Sequence, residues 1–144
     1  MRTKDRVDGT RSVSAEDTGR ARNRLLLAAG AFALVTAGAH AFAGQAHLSR
    51  VLDADIGAVD RAVMFAVWHM VTLILVAAGL GLATLGLSGR RAIVRPAALA
   101  IALLFALFGV VFVLASILFG EPALQWIAMT IVAVLSAAGW WRAK

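Results

Sequence analysis

His40, His47 and His69 are the three histidines of this 144-residue chain, and His40 and His69 lie inside apolar stretches. Neutral imidazole is a common metal ligand and an axial ligand of haem iron. Two such rings at equal depth on facing helices could hold a cofactor such as haem b. His47, with Asp53, Asp55 and Asp60 in the segment that follows, could complete a nitrogen and oxygen site for Zn²⁺, Cu²⁺ or Mn²⁺. Thr36 and Thr72 stand one turn deeper than His40 and His69, and Trp68 adjoins the second. There is a plainer use for the same residues, because near the bilayer surface an imidazole can simply hydrogen-bond across helices. The chain has no cysteine, which excludes disulfides, thiolate metal sites and thiol catalysis.

The elements that position these residues follow from hydropathy. The composition is 61% hydrophobic with a mean hydropathy of +0.85. Apolar stretches run over about 24–43, 63–87, 92–119 and 122–141, each enough helix to cross a hydrocarbon core of ~30 Å. They are continuously apolar and rich in Ala, Leu and Gly, so alternating barrel strands do not fit, and backbone groups in lipid demand helices. The expected fold is all-α, an integral membrane four-helix bundle running up-down-up-down. Residues 24–144 form that domain, and 1–23 read as a disordered basic cytoplasmic tail resting on anionic lipid.

Charge orients the bundle. Arg2, Lys4, Arg6, Arg11, Arg20, Arg22, Arg24, Arg90, Arg91, Arg95, Arg142 and Lys144 fall on one side, against Arg50 and Arg61 on the other. Lys and Arg collect on the cytoplasmic side, so both termini are expected inside. The net charge of +6 therefore reports topology, and no nucleic acid partner is expected. The excess of Arg over Lys, with abundant Ala, points to a bacterial plasma membrane. A basic leader, an apolar run from Leu25 and the triplet Ala41-Phe42-Ala43 also match a cleavable signal peptide. The length of the run and the spread of its charges favour a retained span.

Trp126 and the pair Trp140–Trp141 mark interfaces, Pro122 suits a first helical turn, and Pro96 lies near the start of the third span. The segment 44–62 is expected to be a hydrophilic loop with Arg61 near Asp60. Ala29, Ala33 and Ala37, and Ala77 with Gly81, recur at the spacing that lets helices approach closely. Hydroxyls at Ser116, Thr130 and Ser136 are expected to return hydrogen bonds to their own helices. His69 lies eight residues beyond Arg61, about 12 Å along the axis, and His40 about 7 Å below Gln45. The geometry allows a meeting of His40 and His69 across the first hairpin, and the sequence alone leaves open whether they touch.

The stretch His40-Ala-Phe-Ala-Gly44, followed by Trp68-His69-Met70-Val71-Thr72, resembles a group of small bacterial four-span membrane proteins with a His-x3-Gly and Trp-His pattern. The resemblance covers roughly residues 25–85 and implies the architecture together with a role for His40, Gly44, Trp68 and His69. Where that group carries a basic residue after the glycine, this chain has Gln45-Ala46-His47. The resemblance implies no mechanism.

No nucleophile with its base and no phosphate-binding glycine loop is present, so an enzyme is disfavoured. No Asp or Glu lies at mid-depth in any apolar stretch, which disfavours proton-coupled export. The expected function is a non-catalytic accessory or structural subunit, with the lipid bilayer and a membrane-protein partner or a second copy as its contacts. The alternative is a metal- or haem-binding membrane protein that uses His40 and His69.

Overall fold

The computed structural model describes residues 22–88 and 90–143. The expected tail, 1–23, lies outside the described residues apart from Arg22 and Asn23. Among the described residues the chain is all-helical: α1 (Arg24–Gly38), a π-helical turn (Ala39–Ala43), α2 (Gln45–Leu52), α3 (Ala58–Leu87), α4 (Arg91–Phe119) and α5 (Gln125–Arg142).

Among the described residues three segments are long and apolar enough to cross a membrane: Arg24–Ala43, Ala58–Leu87 and Arg91–Phe119. The second starts five residues before the expected boundary because Gly57 and Asp60 open the helix ahead of the apolar run. The expected fourth span corresponds to α5, which has 18 residues and carries Gln125 and Arg142 at its ends. Pro122 stands before this helix, in a turn where the Leu124 N–H donates to the Pro122 carbonyl at 3.1 Å. Pro96 lies inside α4, one turn beyond its start.

α1 is central. It packs against α3 on one side and α5 on the other, α4 packs on α5, and α3 and α4 scarcely touch. The α1–α3 seam follows a 3-4 spacing on both helices. On α1, Leu27 meets Gly86, Gly30 meets Gly79 and Ala83, and Leu34 meets Gly79, along the buried α3 stripe of Leu75, Gly79, Leu82 and Gly86. Such spacing keeps one stripe facing its partner at a shallow crossing angle. The backbones come close at Gly30, where an added Cβ would lie 2.7 Å from the Gly79 carbonyl oxygen and 2.8 Å from the Ala83 nitrogen. Ala29, Ala33 and Ala37 are buried as expected. Ala77 and Gly81 are not in this seam: Ala77 is exposed, and a Cβ on Gly81 would meet nothing within 4 Å. The small residues that matter on α3 are Ala78, Gly79 and Gly86.

Asn23 ties three helices at one end of the bundle. Its Oδ1 caps α1 by accepting from the Leu26 N–H at 3.3 Å, and its Nδ2 donates to the Gly139 carbonyl of α5 at 2.7 Å. Its own N–H donates to the Gly86 carbonyl at the end of α3 at 2.9 Å. Backbone groups at the ends of three helices are thus joined through one side chain and its amide. Leu26 and Leu27 seat against Gly139 and Gly86, where a Cβ would overlap them.

Charge separates along the bundle. Arg22, Arg24, Arg90, Arg91, Arg95 and Arg142 lie at the Asn23 end, given by the starts of α1 and α4 and the ends of α3 and α5. Arg50, Arg61, Asp53, Asp55, Asp60 and Glu121 lie at the opposite end. There the expected loop contains a helix, α2, whose Leu48 is buried with Val51 and Leu52 half-buried beside it.

Candidate functional site around His40 and Trp68

The antiparallel register set by Asn23–Gly86 and Gly30–Gly79 brings His40 level with the Trp68–His69 step of α3. Equal depth does not make the two histidines partners. Adjacent helical residues point about 100° apart, and it is Trp68 that continues the seam through Thr72, Leu75 and Gly79. His40 ends the matching stripe on α1. The ring that meets His40 is therefore the indole of Trp68.

The two rings stack with centroids 4.1 Å apart and planes 20° from parallel. The His40 Nε2–H donates to the Trp68 carbonyl at 3.2 Å, with the proton assigned to Nε2 because the partner can only accept. That carbonyl also accepts from the Thr72 hydroxyl at 3.3 Å. Thr36, by contrast, donates to the Phe32 carbonyl of its own helix at 2.8 Å.

A π-helical turn carries His40 into this position. The Gly44 N–H reaches back five residues to the Ala39 carbonyl at 3.1 Å, widening the helix where α1 must yield to α2. Gly44 then lies directly under the indole. A Cβ there would fall 2.8 Å from Trp68 Cη2 and 2.5 Å from the His40 carbonyl oxygen, which only glycine avoids. His47, in the first turn of α2, places its ring 6.3 Å from the indole at 26°. Trp68 is thus bracketed by His40, Gly44 and His47.

His69 stands apart from this group. Its ring meets Phe65 one turn earlier on α3, edge to face at 4.3 Å. Of the expected site residues, the structure gathers His40, Gly44, His47, Trp68 and Thr72 around one indole, and leaves His69 on the adjacent face and Thr36 one turn away. Asp53, Asp55 and Asp60 are exposed. Arg61 reaches the Ala54 carbonyl at 3.5 Å. Among the described residues no three of His, Asp and Glu gather closely enough to hold a metal ion.

Chemically, the group is a stacked aromatic clasp with one donor already committed. Iron or another metal taking His40 through Nε2 would displace its bond to Trp68, leaving Nδ1 as the open nitrogen. One polar atom is left over: Trp68 Nε1 is buried and has no hydrogen-bond partner among the described residues. The sequence reading missed Trp68 as the central residue, though the 3-4 spacing of Trp68, Thr72, Leu75 and Gly79 would have singled it out.

Compared with known proteins, the chain matches no family model, no curated protein and no solved structure.

Proposed function

We propose that this chain is a non-catalytic accessory or structural subunit of a bacterial plasma-membrane assembly, built as four membrane-spanning helices with both termini cytoplasmic. The carrying observation is that the imidazole of His40 and most of the helix hydroxyls are spent on the protein's own packing; the buried Ser136 hydroxyl, expected to bond back to its helix, has no partner among the described residues. His40 holds the Trp68 carbonyl, and Thr36, Thr72, Thr84 and Ser116 each return a bond to a carbonyl four residues back. What the protein offers outward is apolar. Leu103, Leu107, Val110, Leu114 and Ile117 of α4 are all exposed, as lipid- or partner-facing residues are. The segregation of arginines to the Asn23 end supports the orientation, with that end cytoplasmic.

An absorption spectrum of the purified chain, oxidised and reduced, together with metal analysis, tests the central claim. Neither haem nor stoichiometric metal is expected from cells supplied with both. A bound group lost in both His40→Ala and His69→Ala would overturn the proposal in favour of a cofactor site. The orientation has its own test, since the chain lacks cysteine. An impermeant maleimide should label Ala54→Cys in intact cells and Ala92→Cys only after lysis; the reverse pattern would invert the topology.

A further inference from the structure

At the Asn23 end, the first turns of α4 and the last turn of α5 border an open cavity of about 450 Å³, lined by Arg91, Ala92, Arg95, Pro96, Trp140 and Ala143. Arg91 and Arg95 are one turn apart on the same helix face. The Arg95 guanidinium carbon lies 5.8 Å from the centre of the Trp140 ring, within cation–π range. Its Nε is buried and has no hydrogen-bond partner among the described residues. A buried guanidinium donor without an acceptor is costly, so its place against Trp140 requires an explanation. No carboxylate among the described residues lies at this end, since Asp53, Asp55, Asp60 and Glu121 are all at the other. An acceptor for that one donor lies beyond the described residues, in solvent, in lipid or in the rest of the chain.

We propose that this cavity binds the phosphate of an anionic phospholipid headgroup. The planar guanidinium of Arg95 presents paired donors matched to phosphate oxygens, and Arg91 adds a second positive charge. Trp140 and Trp141 supply indoles suited to the headgroup level. The surface above the cavity continues through Ala92, Pro96, Leu99 and Leu103, every three or four residues up α4, and Leu103 is exposed. That apolar track would accompany an acyl chain and gives a free phosphate ion nothing. The inference rests on the membrane placement proposed above and not on the accessory role.

Native mass spectrometry of the full chain in detergent, titrated with phosphatidylglycerol or phosphatidylcholine of identical acyl chains, tests it. Phosphatidylglycerol should be retained about tenfold more, the order expected from two arginines near an anionic headgroup. Arg95→Gln should cut the preference severalfold, leaving what Arg91 contributes, while Arg50→Gln, at the far end, should leave it unchanged. Helical circular dichroism identifies a variant that has lost its fold; the two-lipid comparison on the unaltered chain needs no variant. Equal retention of the two lipids, or undiminished preference in folded Arg95→Gln, would overturn the site. Complete displacement of the lipid by millimolar inorganic phosphate would overturn its assignment to a headgroup. A chain that binds lipid without preference would refute this inference and leave the membrane placement intact.

Discussion

The Trp68 carbonyl accepts the His40 Nε2–H at 3.2 Å while the two rings stack 4.1 Å apart, so the end of α1 is fastened to α3 by a hydrogen bond and an aromatic contact at once. His69, one residue along, shares neither. The contrast separates a structural clasp from a paired ligand site.

His40→Ala should destabilise the protein by about 2 kcal/mol, combining an aromatic contact and a partly buried hydrogen bond. His69→Ala loses an edge contact within its own helix and should cost roughly 0.2–0.5 kcal/mol. Unfolding in mixed micelles of detergent and SDS measures both. Equal losses would mean that the two histidines act together after all.

Gly44→Ala should displace the indole, because the new methyl would meet both Trp68 and the backbone of His40. A cost of about 1–3 kcal/mol is expected, as for overpacking elsewhere. Tryptophan emission should shift, and the shift should vanish in a Trp68→Phe background. Unaltered emission in Gly44→Ala would show that the ring does not rest there.

Gly30→Ala and Gly81→Ala form a matched pair on facing helices. At Gly30 the added carbon meets backbone atoms of Gly79 and Ala83, so α1 and α3 must part, at a cost of about 1–3 kcal/mol. At Gly81 it meets open space, and the substitution should stabilise α3 by roughly 0.5–1 kcal/mol. The same unfolding assay reads both, and a stabilising Gly30→Ala would contradict the close approach.

Asn23→Ala should cost about 1–2 kcal/mol through the lost cap and the lost bridge to α5. Asn23→Ser keeps a capping hydroxyl but cannot span to Gly139, so it should fall between the two. If serine restores full stability, the bridge contributes nothing.

Ser116→Ala addresses the link between α4 and α5. The Ser116 hydroxyl donates to the Phe112 carbonyl at 2.9 Å and accepts from the Ala123 N–H at 2.9 Å. Removing it leaves that amide without its partner, and hydrogen exchange at Ala123 should speed up severalfold, in line with a loss of about 1 kcal/mol. Unchanged protection at Ala123 would count against the bond.

Much of the helical layout was legible because lipid-spanning helices announce themselves by length and hydropathy. The π-helical turn at Ala39–Ala43 and the helix at Gln45–Leu52 were not, since their composition resembles a loop and only Leu48, Val51 and Leu52 hint at an apolar face. At the site, depth could be read but azimuth could not. Counting residues from the helix ends brought His40 and His69 to the same level, yet one step of rotation decides which side chain faces α1. The buried stripe of α3 supplies that phase: extended outward from Gly79 and Leu75, it arrives at Trp68. Asn23 also had a visible signal, a capping residue directly before the apolar run, but its reach to Gly139 depends on a helix more than a hundred residues away.

The central position of α1 bears on the order in which the protein can be completed. During synthesis α1 meets α3 early, but its other face waits for α5, which follows α3 and α4 in the chain. Until then the Leu26 side chain has no Gly139 to seat against, and the Asn23 amide has no carbonyl to bridge. A nascent chain halted after α4 would therefore present an unfinished face on α1. Arrival of the last turn of α5 closes it, so the packing of α1 is completed only when residues more than a hundred positions later are in place.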